Sequence, residues 1–153
     1  MQGKKARRVA LDTNVWLSMA LAIRGKRLGS PSYALFEAIR RGQILPTISD
    51  AAFYELGQAL SDLTQEFTAP FIIDFLEIVD ELCEHIAVRG LDMGCRDDDD
   101  DKIVELAYNG KCDLLVTRDK DLEAHPVPAM LAERGCTVCG VSAALDGLSV
   151  PAE

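Results

Sequence analysis

Residues 97–122 read DDDDDKIVELAYNGKCDLLVTRDKDL, and the pattern in this stretch decides the fold class. Behind the aspartates lies an apolar stripe at helical spacing, formed by Ile103, Val104, Leu106 and Ala107. Asn109 and Gly110 end this predicted helix, and the apolar run at 112–117 predicts a buried strand. The stretch therefore predicts a helix followed by a strand, with acidic residues before the helix and after the strand.

The same alternation extends through the rest of the chain. Strands are predicted at 8–11, 43–49, 84–89, 112–117 and 136–141, and helices at 15–23, 30–42, 49–60, 68–83, 102–109 and 142–148. This order predicts an α/β fold, a three-layer α/β/α sandwich around a mainly parallel sheet of about five strands. No repeat or linker interrupts the pattern, so residues 1–153 are expected to form a single domain with its core at about 8–146.

The overall charge limits the function classes. The 153 residues carry a net charge of −9, which argues against a simple nucleic-acid-binding module that relies on a basic surface. It does not exclude an enzyme that meets phosphates through bound cations. No apolar run approaches the roughly 18 residues of a membrane span, and Asp12, Thr13 and Asn14 interrupt the first apolar segment, so no secretory signal is expected. The expected location is cytoplasmic, with no membrane partner.

The five cysteines are an odd number in a chain without an export signal, so free thiols are expected. Cys136 and Cys139 form a C-x-x-C pattern, but no second pair lies at zinc-finger spacing. Within a strand, an offset of three points the two thiols to opposite faces of the sheet. The pattern therefore does not indicate a zinc site.

Acidic residues follow the predicted strands with unusual regularity. The four that stand out are Asp12, Glu55, Asp101 and Asp119. In open α/β sheets ligands bind beyond the carboxyl ends of the strands. Carboxylates that converge there resist joint ionisation unless a cation neutralises them, and Mg²⁺ or Mn²⁺ are the natural partners of oxygen ligands. Such a centre lowers the pKa of a water and stabilises charge on a phosphodiester.

Each of these acids also has a structural interpretation, which the residues alone leave open. Asp12 and Asp101 suit the N-terminal caps of helices. Glu55 suits the solvent-facing side of a helix, and Asp119 and Asp121 suit a turn. Their recurrence after successive strands is what favours a shared site.

Other sites fit less well. As a calcium-binding loop, a segment starting at Asp97 would need a glycine where Lys102 stands and a glutamate where Tyr108 stands. The histidines, His85 and His125, are too few for a histidine-rich metal site. No glycine-rich phosphate loop and no nucleophile-elbow serine is present.

Three segments resemble the PIN-domain family. VALDTNVWLSMAL (9–21) looks like its first motif, SDAAFYELGQAL (49–60) resembles its glutamate-bearing helix, and CRDDDDDKIVELAYNGKCDLLVTRDKDL (95–122) is similar to the acidic block of toxin-type members of the VapC-like kind. One departure is Asp98, where this subgroup usually has proline. The resemblance implies a PIN-like fold and a Mg²⁺- or Mn²⁺-dependent ribonuclease that acts on RNA. It also implies a toxin of a bacterial toxin–antitoxin pair, with a cognate antitoxin and a homodimer as possible partners.

Residue by residue, the resemblance implies that Asp12, Glu55, Asp101 and Asp119 hold the metal and carry catalysis. The residues that match site-lining or secondary positions of the family are Asn14, Asp99, Asp100, Thr117 and Asp121. Two alternatives stay open. A haloacid-dehalogenase-like phosphatase would need D-x-D after the first strand, where this chain has Asn14. A PIN-like scaffold without catalysis would bind a partner only.

Overall fold

The computed structural model describes residues 5–146 and residue 148. The strands are β1 Arg7–Leu11, β2 Ile44–Ile48, β3 Glu84–His85, β4 Leu114–Val116 and β5 Thr137–Cys139. The helices are α1 Thr13–Arg24, α2 Pro31–Arg40, α3 Asp50–Asp62, α4 Ala69–Leu82, α5 Asp101–Asn109, α6 Val127–Ala132 and α7 Val141–Leu145. Two short 3-10 turns lie at Asp98–Asp100 and Lys120–Glu123.

The strands form one five-stranded sheet in the order β3-β2-β1-β4-β5, and every pairing is parallel. The predicted α/β fold with a mainly parallel sheet is confirmed. In the central pair, Leu11 of β1 lies beside Val116 of β4. The residues that follow these two strands, Asp12 and Thr117, therefore emerge side by side at the carboxyl edge.

Helices cover both faces of the sheet, which gives the three predicted layers. One apolar cluster joins Val9 and Leu11 of β1 to helices α1, α2, α3, α4 and α7. The opposite cluster joins Ala10 of β1 to α5 and α6. Neighbouring strand residues alternate between the clusters because successive side chains of a strand point to opposite faces. Both clusters lie directly behind the carboxyl edge and hold its residues in place.

Pro46 lies in β2, next to the edge strand of the sheet. β2 is the second strand of the sheet, and its outer neighbour β3 pairs only with Thr47 and Ile48. Proline has no N–H to donate, and at position 46 no strand on that side requires one.

Three elements differ between the prediction and the structure. The strand predicted at 84–89 is reduced to Glu84–His85. At its predicted end, the backbone N–H of Arg89 binds the side chain of Glu105, as do those of Gly90 and Leu91, and not a neighbouring strand. Helix α6 was not predicted, since its six residues are too few for a periodic pattern to show. The predicted final helix, 142–148, is observed as α7, Val141–Leu145, while residue 147 lies outside the described residues.

The cysteines are free thiols, as expected. Cys136 packs in the cluster beneath α5 and α6, whereas Cys139 packs against the opposite cluster. The two thiols of the C-x-x-C pattern thus lie on opposite faces of the sheet. Between residues 5 and 146, no helix is both long and apolar enough to cross a bilayer.

Candidate metal centre

Asp12 is placed at the carboxyl edge by its position directly after β1. One of its carboxylate oxygens, Oδ1, accepts a 2.8 Å hydrogen bond from the backbone N–H of Thr13 and so caps α1. The other, Oδ2, accepts a 2.8 Å hydrogen bond from the hydroxyl of Thr117. Each oxygen keeps a further lone pair. Asp12 is therefore both a helix cap and a fixed pair of oxygen ligands, which reconciles its structural and functional interpretations.

A chain of hydrogen bonds fixes the segment after β4. Thr117 is 2% exposed, and its hydroxyl oxygen accepts a 3.0 Å hydrogen bond from the backbone N–H of Asp119. Oδ1 of Asp119 then accepts a 2.9 Å hydrogen bond from the backbone N–H of Asp121. The turn expected at these aspartates is present as the 3-10 turn Lys120–Glu123. This turn brings the carboxylates of Asp119 and Asp121 to one side.

Asp100 is the aspartate of the acidic run that meets this segment. Carboxylate oxygens of Asp100, Asp119 and Asp121 lie within 4.8 Å of one another. Oδ2 of Asp100 is buried and has no hydrogen-bond partner among the described residues. Burial, followed by the nearby charges of Asp119, Asp12 and Asp97, raises the pKa of Asp100 to about 7. The charge of Asp12 thus also raises the pKa of Asp100, although Asp12 is not one of the three residues whose carboxylate oxygens lie closest together.

The neighbouring aspartates of the run point elsewhere. Asp101 is 8% exposed, and its Oδ1 accepts a 3.2 Å hydrogen bond from the backbone N–H of Cys95. It lines a separate cleft of about 310 Å³ with Gly90 and Leu91. Asp99 is exposed, and its backbone N–H binds the carboxylate of Asp97. The structure therefore brings Asp100 rather than Asp101 against Asp119 and Asp121, and a metal-binding role for Asp101 stays a prediction.

Glu55 on α3 reaches the same edge through Thr13. Its Oε2 accepts a 3.1 Å hydrogen bond from the hydroxyl of Thr13, the residue after Asp12. Its Oε1 lies 3.8 Å from Nζ of Lys102 in the first turn of α5. The Glu55 side chain is 46% exposed, so this ion pair contributes little to stability. Glu55 thus links α3 to α1 through Thr13 and to α5 through Lys102.

Asn14, the last of the predicted site residues, is exposed and forms no side-chain hydrogen bond with any residue between 5 and 146. Sequence reasoning missed three residues at this edge, namely Thr13, Lys102 and Arg96. Arg96 lies 3.8 Å from the carboxylate of Asp121. Thr13 and Lys102 each follow a predicted acidic ligand directly in the sequence, which was the only signal that could have found them.

Glu105 holds the loop at residues 89–91, which precedes the acidic run, against α5. It is a fully buried residue of α5, and its carboxylate accepts hydrogen bonds of 2.7, 2.9 and 2.8 Å from the backbone N–H groups of Arg89, Gly90 and Leu91. Asn109 donates another of 3.0 Å. Burial alone would raise the pKa of Glu105, but these hydrogen bonds outweigh it and lower the pKa. The carboxylate therefore anchors the loop that leads into the acidic run.

The acidic cluster fits a divalent cation. A buried carboxylate oxygen without a partner is costly, and carboxylates this close resist ionisation unless a cation lies between them. Oxygen-only donors suit hard ions such as Mg²⁺ or Mn²⁺. Asp100, Asp119 and Asp121 could hold the ion, with Asp12 beside them.

A comparison with protein families shows to which family the chain belongs. The PIN-domain model matches residues 8–121, which span β1, the acidic run and the segment after β4. The chain belongs to the PIN-domain family. PIN domains are generally metal-dependent nucleases that act on nucleic acids and use divalent metals. The acidic edge of this PIN domain has the residue types that such chemistry requires.

A solved structure agrees with this fold. The crystal structure of PAE2754 from Pyrobaculum aerophilum resembles this PIN domain with a TM-score of 0.54 and 17% identity, over 95% of this chain and 91% of that chain. At this identity the likeness supports the fold alone. No curated protein sequence matches the chain significantly.

Proposed function

We propose that this PIN domain is a Mg²⁺- or Mn²⁺-dependent endoribonuclease that hydrolyses RNA phosphodiester bonds. The single observation that carries the proposal is the buried, unpartnered Oδ2 of Asp100 beside the carboxylates of Asp119 and Asp121. When bound, the divalent ion supplies a polarised water and stabilises negative charge at the phosphodiester.

The protein residues have distinct roles in this proposal. Asp100, Asp119 and Asp121 hold the ion with Asp12 beside them as a further ligand, while the predicted ligands Glu55 and Asp101 contribute from its surroundings. Thr117 positions Asp12 and Asp119 by its two hydrogen bonds. Lys102 lies near Glu55 and offers a positive charge to the substrate. His85 is unsuited to proton transfer here, because it lies at the end of β3 with its Nε2 2.8 Å from the carboxylate of Asp80.

The test is cleavage of labelled single-stranded RNA by the purified protein with Mn²⁺, Mg²⁺ or a chelator. We expect cleavage with either metal, and none with the chelator or in the Asp12→Asn variant, whose fold should persist because asparagine can still cap α1. Asp74→Asn, an exposed change on α4, is the matched control and should cleave normally. Cleavage by Asp12→Asn at the wild-type rate would refute the metal-centre assignment.

Assays on the same purified protein distinguish the two alternative functions, a phosphatase and a non-catalytic binding scaffold. A phosphatase would hydrolyse a small phosphomonoester and leave RNA intact. A binding scaffold would show a metal-induced rise in melting temperature but cut neither RNA nor single-stranded DNA. The phosphatase is less favoured since residue 14 is asparagine, and the scaffold is less favoured since the acidic cluster is complete.

The biological setting proposed is that of a toxin in a bacterial toxin–antitoxin pair, active in the cytoplasm. Its support is the resemblance of residues 95–122 to toxin-type PIN domains. Growth arrest on expression, relieved by a small protein encoded next to this gene, would test that role. We further propose that residues 1–153 form one domain, supported by the single sheet that joins Arg7 to Cys139, and that it associates as a homodimer, which light scattering would measure.

A further inference from the structure

A second polar cleft adjoins the metal centre. It has a volume of about 300 Å³ and lies between α1, the start of α2 and the segment after β4. The residues that line it and matter here are Ser18, Arg27, Ser30, Ser32 and Arg118. The cleft thus combines two guanidinium groups with three hydroxyl groups and contains no acidic residue among its lining.

The two arginines of this cleft have no carboxylate partner among the residues that the structure describes. Other arginines of the chain are paired, such as Arg8 with Glu84 at 2.6 Å and Arg40 with Glu37 at 3.0 Å. The guanidinium groups of Arg27 and Arg118 form no ion pair, hydrogen bond or ring contact with any residue from 5 to 146 or with residue 148. In a chain with 25 acidic and 16 basic residues, two unpaired guanidinium groups on one cleft indicate an anionic ligand.

Ser32 provides an independent sign of a ligand. It is 6% exposed and lines the cleft, yet its hydroxyl has no hydrogen-bond partner in the part of the chain that the structure describes. Its backbone N–H, in the first turn of α2, has no acceptor within the helix. Ser30 caps only the N–H of Tyr33, and Pro31 has no N–H. Two donors of Ser32 are therefore free, at the helix end that favours negative charge.

Chain continuity relates this cleft to the metal centre. Arg118 stands between Thr117, which binds Asp12, and Asp119, which belongs to the acidic cluster. Arg118 lines the cleft with residues of α1 and α2, whereas Thr117 and Asp119 hydrogen-bond to Asp12 and Asp121. Arg118 therefore faces α1 and α2 while its two neighbours face the metal centre. A phosphate in the cleft would be separated from the metal by this one segment.

We propose that this cleft binds a backbone phosphate of the nucleic acid, on a nucleotide that flanks the bond to be cut. The inference rests on the proposed nuclease function for the identity of its ligand. Arg27 and Arg118 supply the positive charge, and Ser32 donates from its hydroxyl and its backbone N–H. Such a subsite would fix the direction in which the strand crosses the metal centre, even though the protein as a whole is acidic.

The test is binding of a fluorescent single-stranded RNA in the presence of a chelator, which prevents cleavage. The double variant Arg27→Gln/Arg118→Gln is compared with Arg40→Gln/Arg41→Gln, which removes the same charge from the other end of α2. We expect the first variant to bind about tenfold or more weakly and its logarithmic salt dependence to fall by about 0.7. Binding by the second should change little, and both should keep the wild-type thermal shift with Mn²⁺.

Equal binding by the two double variants would overturn the proposal, as would displacement of the RNA by inorganic phosphate as effectively as by unlabelled oligonucleotide. Failure of the subsite and failure of the proposed function are distinguishable. If the wild-type protein cuts RNA and the Arg27→Gln/Arg118→Gln variant cuts and binds it equally well, only the subsite fails. If the wild-type protein cuts no RNA but the binding loss is seen, the subsite stands and the nuclease proposal fails.

Discussion

The hydroxyl of Thr117 donates a 2.8 Å hydrogen bond to Oδ2 of Asp12, across 105 positions of sequence. The contact exists because β1 and β4 are parallel neighbours, so the residues that follow them emerge together. The same hydroxyl oxygen accepts a hydrogen bond from the backbone N–H of Asp119. One threonine therefore sets the distance between two proposed metal ligands.

Thr117→Val keeps the shape of this side chain but removes both hydrogen bonds. We expect metal-dependent activity to fall about 10- to 100-fold and the free energy of unfolding to fall by about 1–3 kcal/mol, because the N–H of Asp119 loses its partner in a partly buried setting. Thr137→Val, at an exposed position of β5, is the matched control. Activity assays and thermal melts measure the two effects, and a Thr117→Val protein with unchanged activity would contradict the positioning role.

Asp100→Asn and Asp101→Asn discriminate between the two candidate ligands of the acidic run. We expect Asp100→Asn to abolish the rise in melting temperature with Mn²⁺, since Asp100 contacts Asp119 and Asp121. Asp101→Asn should keep most of that rise, because its carboxylate is already bound to the N–H of Cys95. Asp98→Asn, an exposed neighbour, should behave as wild type. If Asp101→Asn abolished the rise in melting temperature and Asp100→Asn kept it, Asp101 would be the metal ligand.

The pKa of Asp100 predicts how metal binding depends on pH. Because the pKa is raised to about 7 in the metal-free fold, its contribution to stability is present in acid and is lost as pH rises from 3.8 towards 7. A divalent ion must displace this proton, so the Mg²⁺-induced rise in melting temperature should grow until about pH 7 and then level off. Melting curves with Mg²⁺ and with a chelator measure this difference. In the metal-free Asp100→Asn variant, stability should no longer fall between pH 3.8 and about 7. An unchanged fall would contradict the assignment of this pH dependence to Asp100.

Glu105→Gln tests the anchor behind the site. We expect a loss of about 2–3 kcal/mol in the free energy of unfolding, since a neutral amide cannot accept from all the donors that meet the carboxylate. Glu77→Gln, at an exposed position of α4, should be neutral. The pKa of Glu105 is lowered in the fold, so its stabilisation is present above pH 4.5 and is lost on acidification. Denaturant unfolding at neutral and acidic pH measures both effects, and equal stability of the two variants would rule out the anchor.

Local sequence patterns were sufficient for most of the elements. The apolar run 8–11, the cap at Ser30 and the stripe 103–107 each depend on neighbours in the chain, and β1, α2 and α5 follow them closely. The strand predicted at 84–89 was too long, and at its predicted end Glu105, distant in sequence, takes up the N–H groups of Arg89 and its two successors. Glu105 itself resembles any polar residue of an amphipathic helix. Its burial depends on packing between α5 and that loop.

The sequence by itself determined the class of this protein. The spacing of apolar residues depends on the geometry of helices and strands, and the acids after successive strands indicated a hard-metal centre before any contact was known. Only the tertiary structure decided which acids meet. Adjacent aspartates of a helix start differ by about 100° in direction, so Asp100 faces Asp119 while Asp101 faces Cys95. That choice depends on how α5 packs against the sheet, which no local pattern within 97–101 records.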